Sequence, residues 1–162
     1  MNKTAIIPGS FDPCTNGHLD IIRRSAKIFS KVIVAVLANS AKTPVFTISE
    51  RLDMLRRVTL GIPNVEIDSF SGLLVDYAER RGADMIVKGL RAVSDFEYEF
   101  QMTLANSKLR TDLETIFMPT LADNMYLSSS IVREIARHGG SISGMIPECI
   151  EQDIVNKLGM RS

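Results

Sequence analysis

The residues of this chain with chemical potential sit beside glycine, proline and serine rather than in acidic or cysteine clusters. The stretch Pro8-Gly9-Ser10-Phe11-Asp12-Pro13-Cys14-Thr15-Asn16-Gly17-His18 links an apolar run to an amphipathic one. A helix opening there would present unpaired N–H groups and a partial positive charge, both suited to phosphate. Taken alone, it is equally an ordinary Pro/Gly/Asn turn with His18 in a first helical turn. Its glycines match neither G-x-G-x-x-G nor G-x-x-x-x-G-K-[ST], so the ordinary dinucleotide fingerprint and the Walker loop are set aside. Lys88-Gly89-Leu90-Arg91 places cations around a glycine just past an apolar run. A charge there is costly unless it faces an anion or an open cleft, the alternative being solvated side chains. Ser128-Ser129-Ser130 reads either as a helix N-cap or as hydroxyl and amide donors for phosphate. Glu99 by itself reads as a solvated helix residue, Cys14 as a small apolar filler, and His138 as surface near a helix end.

The elements that must position these residues follow from periodicity. Short apolar runs without alternation occur at Ala5–Ile7, Val32–Leu37, Val65–Ile67 leading to Phe70, Met85–Val87 and Thr115–Met118. Continuous Val/Ile/Leu runs suit strands buried on both faces of a parallel sheet. Helical spacing separates them. Leu19, Ile22, Ala26 and Phe29 follow Asn16-Gly17. Leu52, Leu55 and Val58 follow the capping-box pattern Thr47-Ile48-Ser49-Glu50. Leu73, Leu74, Tyr77 and Ala78 run to a stop at Gly82. Ser94-x-x-Glu97 predicts a further capped helix with Phe96, Phe100, Met102 and Leu104. Ser128 to His138 and a last helix starting at Pro147 complete the set. The expectation is an α/β, doubly wound, Rossmann-like five-stranded parallel sheet with helices on both faces, in one domain over residues 1–162. In such sheets ligands lie beyond the carboxyl ends of the strands, where 8–18, 39–44, 71–72, 88–91 and 119–130 would all be delivered.

Composition narrows the classes. Of 162 residues, 45% are hydrophobic and 23% charged, a globular rather than disordered balance. Lys and Arg total 19 against 19 Asp and Glu, so the formal net charge is zero. That argues against a nucleic-acid duplex or a membrane surface as partner. Two widely separated cysteines and two histidines exclude a disulfide framework and argue against a Cys/His zinc site. The N-terminal apolar stretch is short for a signal peptide and is broken by Pro8-Gly9. Val32–Ala38 falls far below the roughly 18–20 residues of a membrane span. A cytoplasmic chain is expected.

Thr15-Asn16-Gly17-His18 resembles the T/H-x-G-H signature of the nucleotidyltransferase superfamily. Gly9-Ser10-Phe11-Asp12-Pro13, the more specific block Gly89–Glu99 and Leu127-Ser128-Ser129-Ser130 extend the likeness to bacterial phosphopantetheine adenylyltransferases, over about residues 3–158. Ser10 stands where that family commonly has threonine, and Lys88 where it commonly has arginine. The segment Asn124-Met125-Tyr126 also departs from the family wording.

The resemblance implies reversible adenylyl transfer from ATP to 4′-phosphopantetheine in coenzyme A biosynthesis. It implies His18 as transition-state stabiliser, and Ser10, Phe11, His18, Gly89, Leu90, Arg91, Glu99 and Asn124, Met125, Tyr126, Leu127, Ser128, Ser129 and Ser130 as the ATP site. Ser10, Lys42, Leu74 and Lys88 are the implied phosphopantetheine site. Magnesium would arrive with ATP, and the implied assembly is a homohexamer. Rival readings are a nucleotidyltransferase acting on nicotinamide mononucleotide or glycerol phosphate, or a nucleotide-binding regulator without turnover.

Overall fold

Five segments with apolar residues become strands that hydrogen-bond side by side, the central ones buried on both faces. In the computed structural model, which describes residues 3–38 and 43–159 apart from the side chains of Val93 and Ser94, all neighbouring strands are parallel. They are β1 (Thr4–Gly9), β2 (Lys31–Leu37), β3 (Val65–Phe70), β4 (Met85–Leu90) and β5 (Glu114–Pro119), in the order β3-β2-β1-β4-β5. The helices are α1 (Asn16–Ile28), α2 (Ile48–Val58), α3 (Leu74–Arg80), α4 (Val93–Leu109), α5 (Ser129–Arg137) and α6 (Glu148–Leu158). This is the doubly wound, Rossmann-like sheet expected from the sequence. Its order reverses between β1 and β4, which places the ligand crevice beyond their carboxyl ends.

Each face of the sheet has its own core, and for this reason β1, β2 and the start of β4 do not alternate in polarity. Strand β3, at an edge, does alternate, with Glu66 and Asp68 paired to Lys31 and Arg81. Ala5, Ile7, Val32, Val34, Val36 and Val87 meet Leu19, Ile22, Leu55, Val132, Ile150 and Ile154 from α1, α2, α5 and α6. Ile6, Ile33, Ala35 and Ile86 point the other way, onto Val75, Tyr77 and Ala78 of α3. Burial on both faces holds for the central strands. Edge strands β3 and β5 are largely half-buried or exposed, because each lacks a neighbour on one side. Helix α4 belongs to neither core. Phe96, Tyr98, Phe100, Met102, Leu104 and Leu109 remain exposed along it, with Phe96 stacked on Phe100 and edge-on to Phe117.

Several boundaries differ from the periodicity. Lys88, Gly89 and Leu90 are the last residues of β4 rather than a loop after it. The N-cap of α4 is Ala92, two residues before Ser94, and makes no side-chain cap bond. Pro147 is the N-cap of α6 rather than its first helical residue. Asn16 and Gly17 lie inside α1, and Thr15 is the cap.

Candidate functional site

Loop 10–15 leaves β1 through a tight turn. Phe11 has a positive φ of 47°, sparsely populated for a bulky residue, and its ring is buried over Gly9. A Cβ on Gly9 would come within 3.0 Å of that ring, so glycine is needed for the ring to lie there. The ring meets His18 edge-on at 5.1 Å between centroids.

Thr15 and His18 satisfy one another reciprocally at the start of α1. The Thr15 N–H donates to His18 Nδ1 at 3.0 Å, and the His18 N–H donates to Thr15 Oγ1 at 3.3 Å. With Nδ1 occupied as an acceptor, a neutral imidazole carries its proton on Nε2. Burial, followed by the positive charge of Arg91, lowers the His18 pKa to about 4. His18 is therefore a neutral N–H donor at physiological pH. Asn16 spends its amide on the Met145 carbonyl at 2.9 Å. In the first turn of α1 the Gly17 amide is the one without an acceptor among the described residues.

The start of α5 is more open. Ser128 Oγ accepts the Ile131 N–H at 3.1 Å, leaving its own hydroxyl proton free to donate. The amides of Ser129 and Ser130 have no acceptor among the described residues. The Ser129 hydroxyl donates to the Pro13 carbonyl at 2.7 Å, which joins α5 to loop 10–15 and leaves Ser129 its backbone amide as the donor for a ligand. Arg91 Nη1 donates to the Leu127 carbonyl at 2.9 Å, and its Nη2 lies 3.4 Å from Asp95. The Leu127 side chain is itself buried, whereas Met125 and Tyr126 are exposed. Asn124 leans on α1, since a Cβ on Gly17 would lie 3.7 Å from its Cβ.

Lys88 and Glu99 form an ion pair at 3.1 Å, both side chains 24% exposed. Ser10 is exposed at the mouth of the turn, and Leu74 is half-buried at the start of α3, packed on the core that holds Phe70 and Tyr77. Lys42 lies outside the described residues. Gly89 allows α1 close to β4: a Cβ there would come 3.1 Å from Ile21 Cγ1. Among the described residues the structure brings together Phe11 and His18, Asn124 and Gly17, Arg91 and Leu127, and Lys88 and Glu99, and it leaves Leu74 apart on the other face.

Three residues without an expected role join loop 10–15 to the start of α2 and to α5. Asp12, a buried carboxylate, accepts the amides of Val45 at 2.9 Å and Phe46 at 2.8 Å. Arg51, only 1% exposed, donates to the Ser10 carbonyl at 2.8 Å. Arg133 lies 3.6 Å from Asp12 Oδ2. Their partners are too distant in sequence for spacing to reveal. Cys14 is 1% exposed, and burial with a smaller contribution from Cys149 pushes its thiol up to about 12, so it packs and does not attack.

Chemically, the edge offers donors and cations. Its carboxylates Asp12, Asp95 and Glu99 are engaged by amides or cations, and the acceptor nitrogen of His18 is occupied. Such a site can hold anions and stabilise developing negative charge without removing a proton. Grooves of about 300 Å³ between α2 and α6 and about 460 Å³ between α3 and the 109–112 turn lie elsewhere. The charges lining the first are paired with one another, Glu50 with Lys157 and Arg57 with Asp53 and Asp153.

The cytidylyltransferase-like family model matches residues 6–135. The chain is 56% identical to the phosphopantetheine adenylyltransferase of Caldanaerobacter subterraneus over 155 residues, 96% of this chain and 97% of that one. It belongs to the cytidylyltransferase-like family, among the phosphopantetheine adenylyltransferases. A second member, from Desulfatibacillum aliphaticivorans, is 54% identical over 98% of this chain and 90% of its own. The fold is shared more widely. The nicotinic acid mononucleotide adenylyltransferase of Plasmodium falciparum, solved in complex with NaAD, superposes with a TM-score of 0.72 at 14% identity, covering 96% of each chain. The arrangement of His18, Arg91 and the α5 amides in this chain is thus set on a sheet used by other adenylyltransferases.

Proposed function

We propose that this chain transfers the adenylyl group of ATP to 4′-phosphopantetheine, giving dephospho-coenzyme A and pyrophosphate. The near-full-length identity of 56% to a protein of that name carries the reading. A phosphate oxygen of the acceptor attacks the α-phosphorus of ATP, the bond to the β-phosphate oxygen breaks, and pyrophosphate leaves with the electron pair. The nucleophile is already anionic and the leaving group is stable, so catalysis reduces to alignment and charge stabilisation. The free donors at the sheet edge suit this division of labour.

In this reading His18 donates from Nε2 to the phosphate oxygens on which charge develops. Arg91, the Ser129 and Ser130 amides and the Ser128 and Ser130 hydroxyls hold the β- and γ-phosphates. Gly89, Leu90 and Phe11 contribute backbone, Asn124, Met125, Tyr126 and Leu127 pass the adenine, and Glu99 supports the ATP site while pairing with Lys88. Ser10, Lys42 and Lys88 receive the acceptor phosphate, and Leu74 lines the pantetheine arm. Magnesium would arrive with ATP and would supply positive charge to its phosphates.

The exposed apolar side chains of α4 suit self-association, and a homohexamer is the assembly proposed. No helix among the described residues is long and apolar enough to cross a membrane. Free Cys14 and Cys149 fit a reducing cytoplasm. The deciding assay is ATP-dependent pyrophosphate release with 4′-phosphopantetheine, nicotinamide mononucleotide or glycerol phosphate as acceptor. Release with 4′-phosphopantetheine alone is expected. Release with either rival, or with none, overturns the reading.

A further inference from the structure

A polar chain runs from Ser130 on α5 to Asp12, two residues after Ser10 in loop 10–15. At one end Arg133 Nη2 donates to Ser130 Oγ at 3.2 Å, beside the open amides of α5. Nη1 of the same guanidinium donates to the Asp12 carbonyl and lies 3.6 Å from Asp12 Oδ2. The Asp12 carboxylate then takes the amides of Val45 and Phe46, just before α2. Ser10, two residues before Asp12, has its carbonyl held by the buried Arg51. The Asp12 side chain is 8% exposed and that of Arg133 21%. A charge pair this enclosed is weak evidence of stability, since desolvation offsets much of its attraction. A planar fork addressing α5 and loop 10–15 at once does give geometric specificity.

We propose that Arg133 is a positioning residue that, through Asp12, holds the ATP-phosphate donors of α5 and the loop carrying Ser10, a proposed acceptor-phosphate donor, in one register. The inference rests on the ligand assignments of the proposed function. In-line attack requires both anions to be aligned, and an error near 1 Å can lower rate by about 10²-fold. With the fork removed, α5 and loop 10–15 keep the Ser129–Pro13 hydrogen bond but lose the Ser130–Arg133–Asp12 strut beside it. Either ligand then meets a site whose second half is no longer fixed.

The test is calorimetric titration of Mg·ATP and, separately, of 4′-phosphopantetheine into the intact protein and into Arg133→Met, Arg133→Lys and Lys88→Ala. Arg133→Met is expected to weaken both ligands by about fivefold or more, the lower end of measured inter-site couplings. Arg133→Lys keeps the charge near Asp12 but not the fork, so it should weaken both by less. It remains informative if the methionine variant does not fold. Weakening of ATP alone would confine Arg133 to Ser130 and overturn the proposal. Unchanged affinity for both, with a lowered melting temperature, would make it merely structural and would also overturn it. Lys88→Ala separates the underlying assignment: if acceptor binding survives that change, the placement of the acceptor phosphate is wrong, while the Arg133 outcome still reads on both ligands directly.

Discussion

The backbone N–H of Thr15 donates to Nδ1 of His18 at 3.0 Å, so a helix cap fixes which nitrogen of the imidazole faces the ligand. The proton of the neutral ring is assigned to Nε2, and burial with Arg91 nearby holds the pKa at about 4. The same use of a neutral imidazole as electrophile, with its pKa lowered at a helix N-terminus, is known in other enzymes.

Nitrogen-edited NMR of His18 should therefore show the Nε2–H tautomer and a titration midpoint near 4. A midpoint near 6.5 would remove the neutral-donor account. The sign of the stability effect follows from linkage. Below about 6.5 the unfolded chain protonates His18 while the folded protein does not, so stability falls as pH drops from about 6.5 towards 4. Any loss of turnover near pH 6 then belongs to the acceptor phosphate, whose second ionisation lies at about that value. Denaturant titrations at pH 7 and pH 5 measure the first effect, and pH profiles of kcat the second.

His18→Ala should lower kcat by roughly 10²-fold or more, as losing one preorganised donor to a developing oxyanion does. The KM for 4′-phosphopantetheine should change much less, because the contact strengthens in the transition state. Steady-state kinetics decide it, and near-normal turnover would take His18 out of the mechanism.

Lys88 and Glu99 invite a paired measurement, since the ion pair at 3.1 Å joins a proposed acceptor-site residue to a proposed ATP-site residue. Lys88→Ala should raise the KM for 4′-phosphopantetheine more than that for ATP. Glu99→Gln leaves Lys88 without its counter-charge but still able to meet an anion, so its effect on the acceptor should be smaller. The reverse order for Lys88→Ala would mean that the two phosphate sites have been exchanged.

Local signals carried well from sequence to structure, and pairings between distant segments did not. The strand cores, the reversal-prone αβ order, and the caps at Thr47 and Ser128 depend on neighbours a few residues away, so periodicity reveals them. Lys88-Gly89 looked like a loop because a cation and a glycine resemble a turn. In fact the glycine is where α1 presses on the strand, and the lysine is neutralised by Glu99 from α4. Ser94 and Glu97 carry a capping-box signal, yet the chain turns into α4 at Ala92 and the box is not the cap. Arg51 and Arg133 gave no sequence signal, and Asp12 stood only within the Gly9–Pro13 likeness without a role, since the partner of each lies on another element. The proton position on His18 was equally hidden, because it depends on one backbone N–H at a cap.

Gly89 offers a last test, of packing rather than chemistry. A Cβ there would lie 3.1 Å from Cγ1 of Ile21, tighter than ordinary contact, and Ile21 is itself buried one turn after His18 on α1. Gly89→Ala should force α1 outward by a few tenths of an ångström and carry His18 with it. The expected result is a fall in kcat of about tenfold, less than the 10² attributed to misplacement of about 1 Å. Ile21→Ala alone opens a cavity and should destabilise by about 2–5 kcal/mol. Joined to Gly89→Ala, it removes the atom that the new methyl meets. The double variant should therefore recover part of the lost turnover, and its stability loss should be smaller than the sum of the two single changes. Strict additivity in both measurements would show that α1 and β4 do not press on one another at this point.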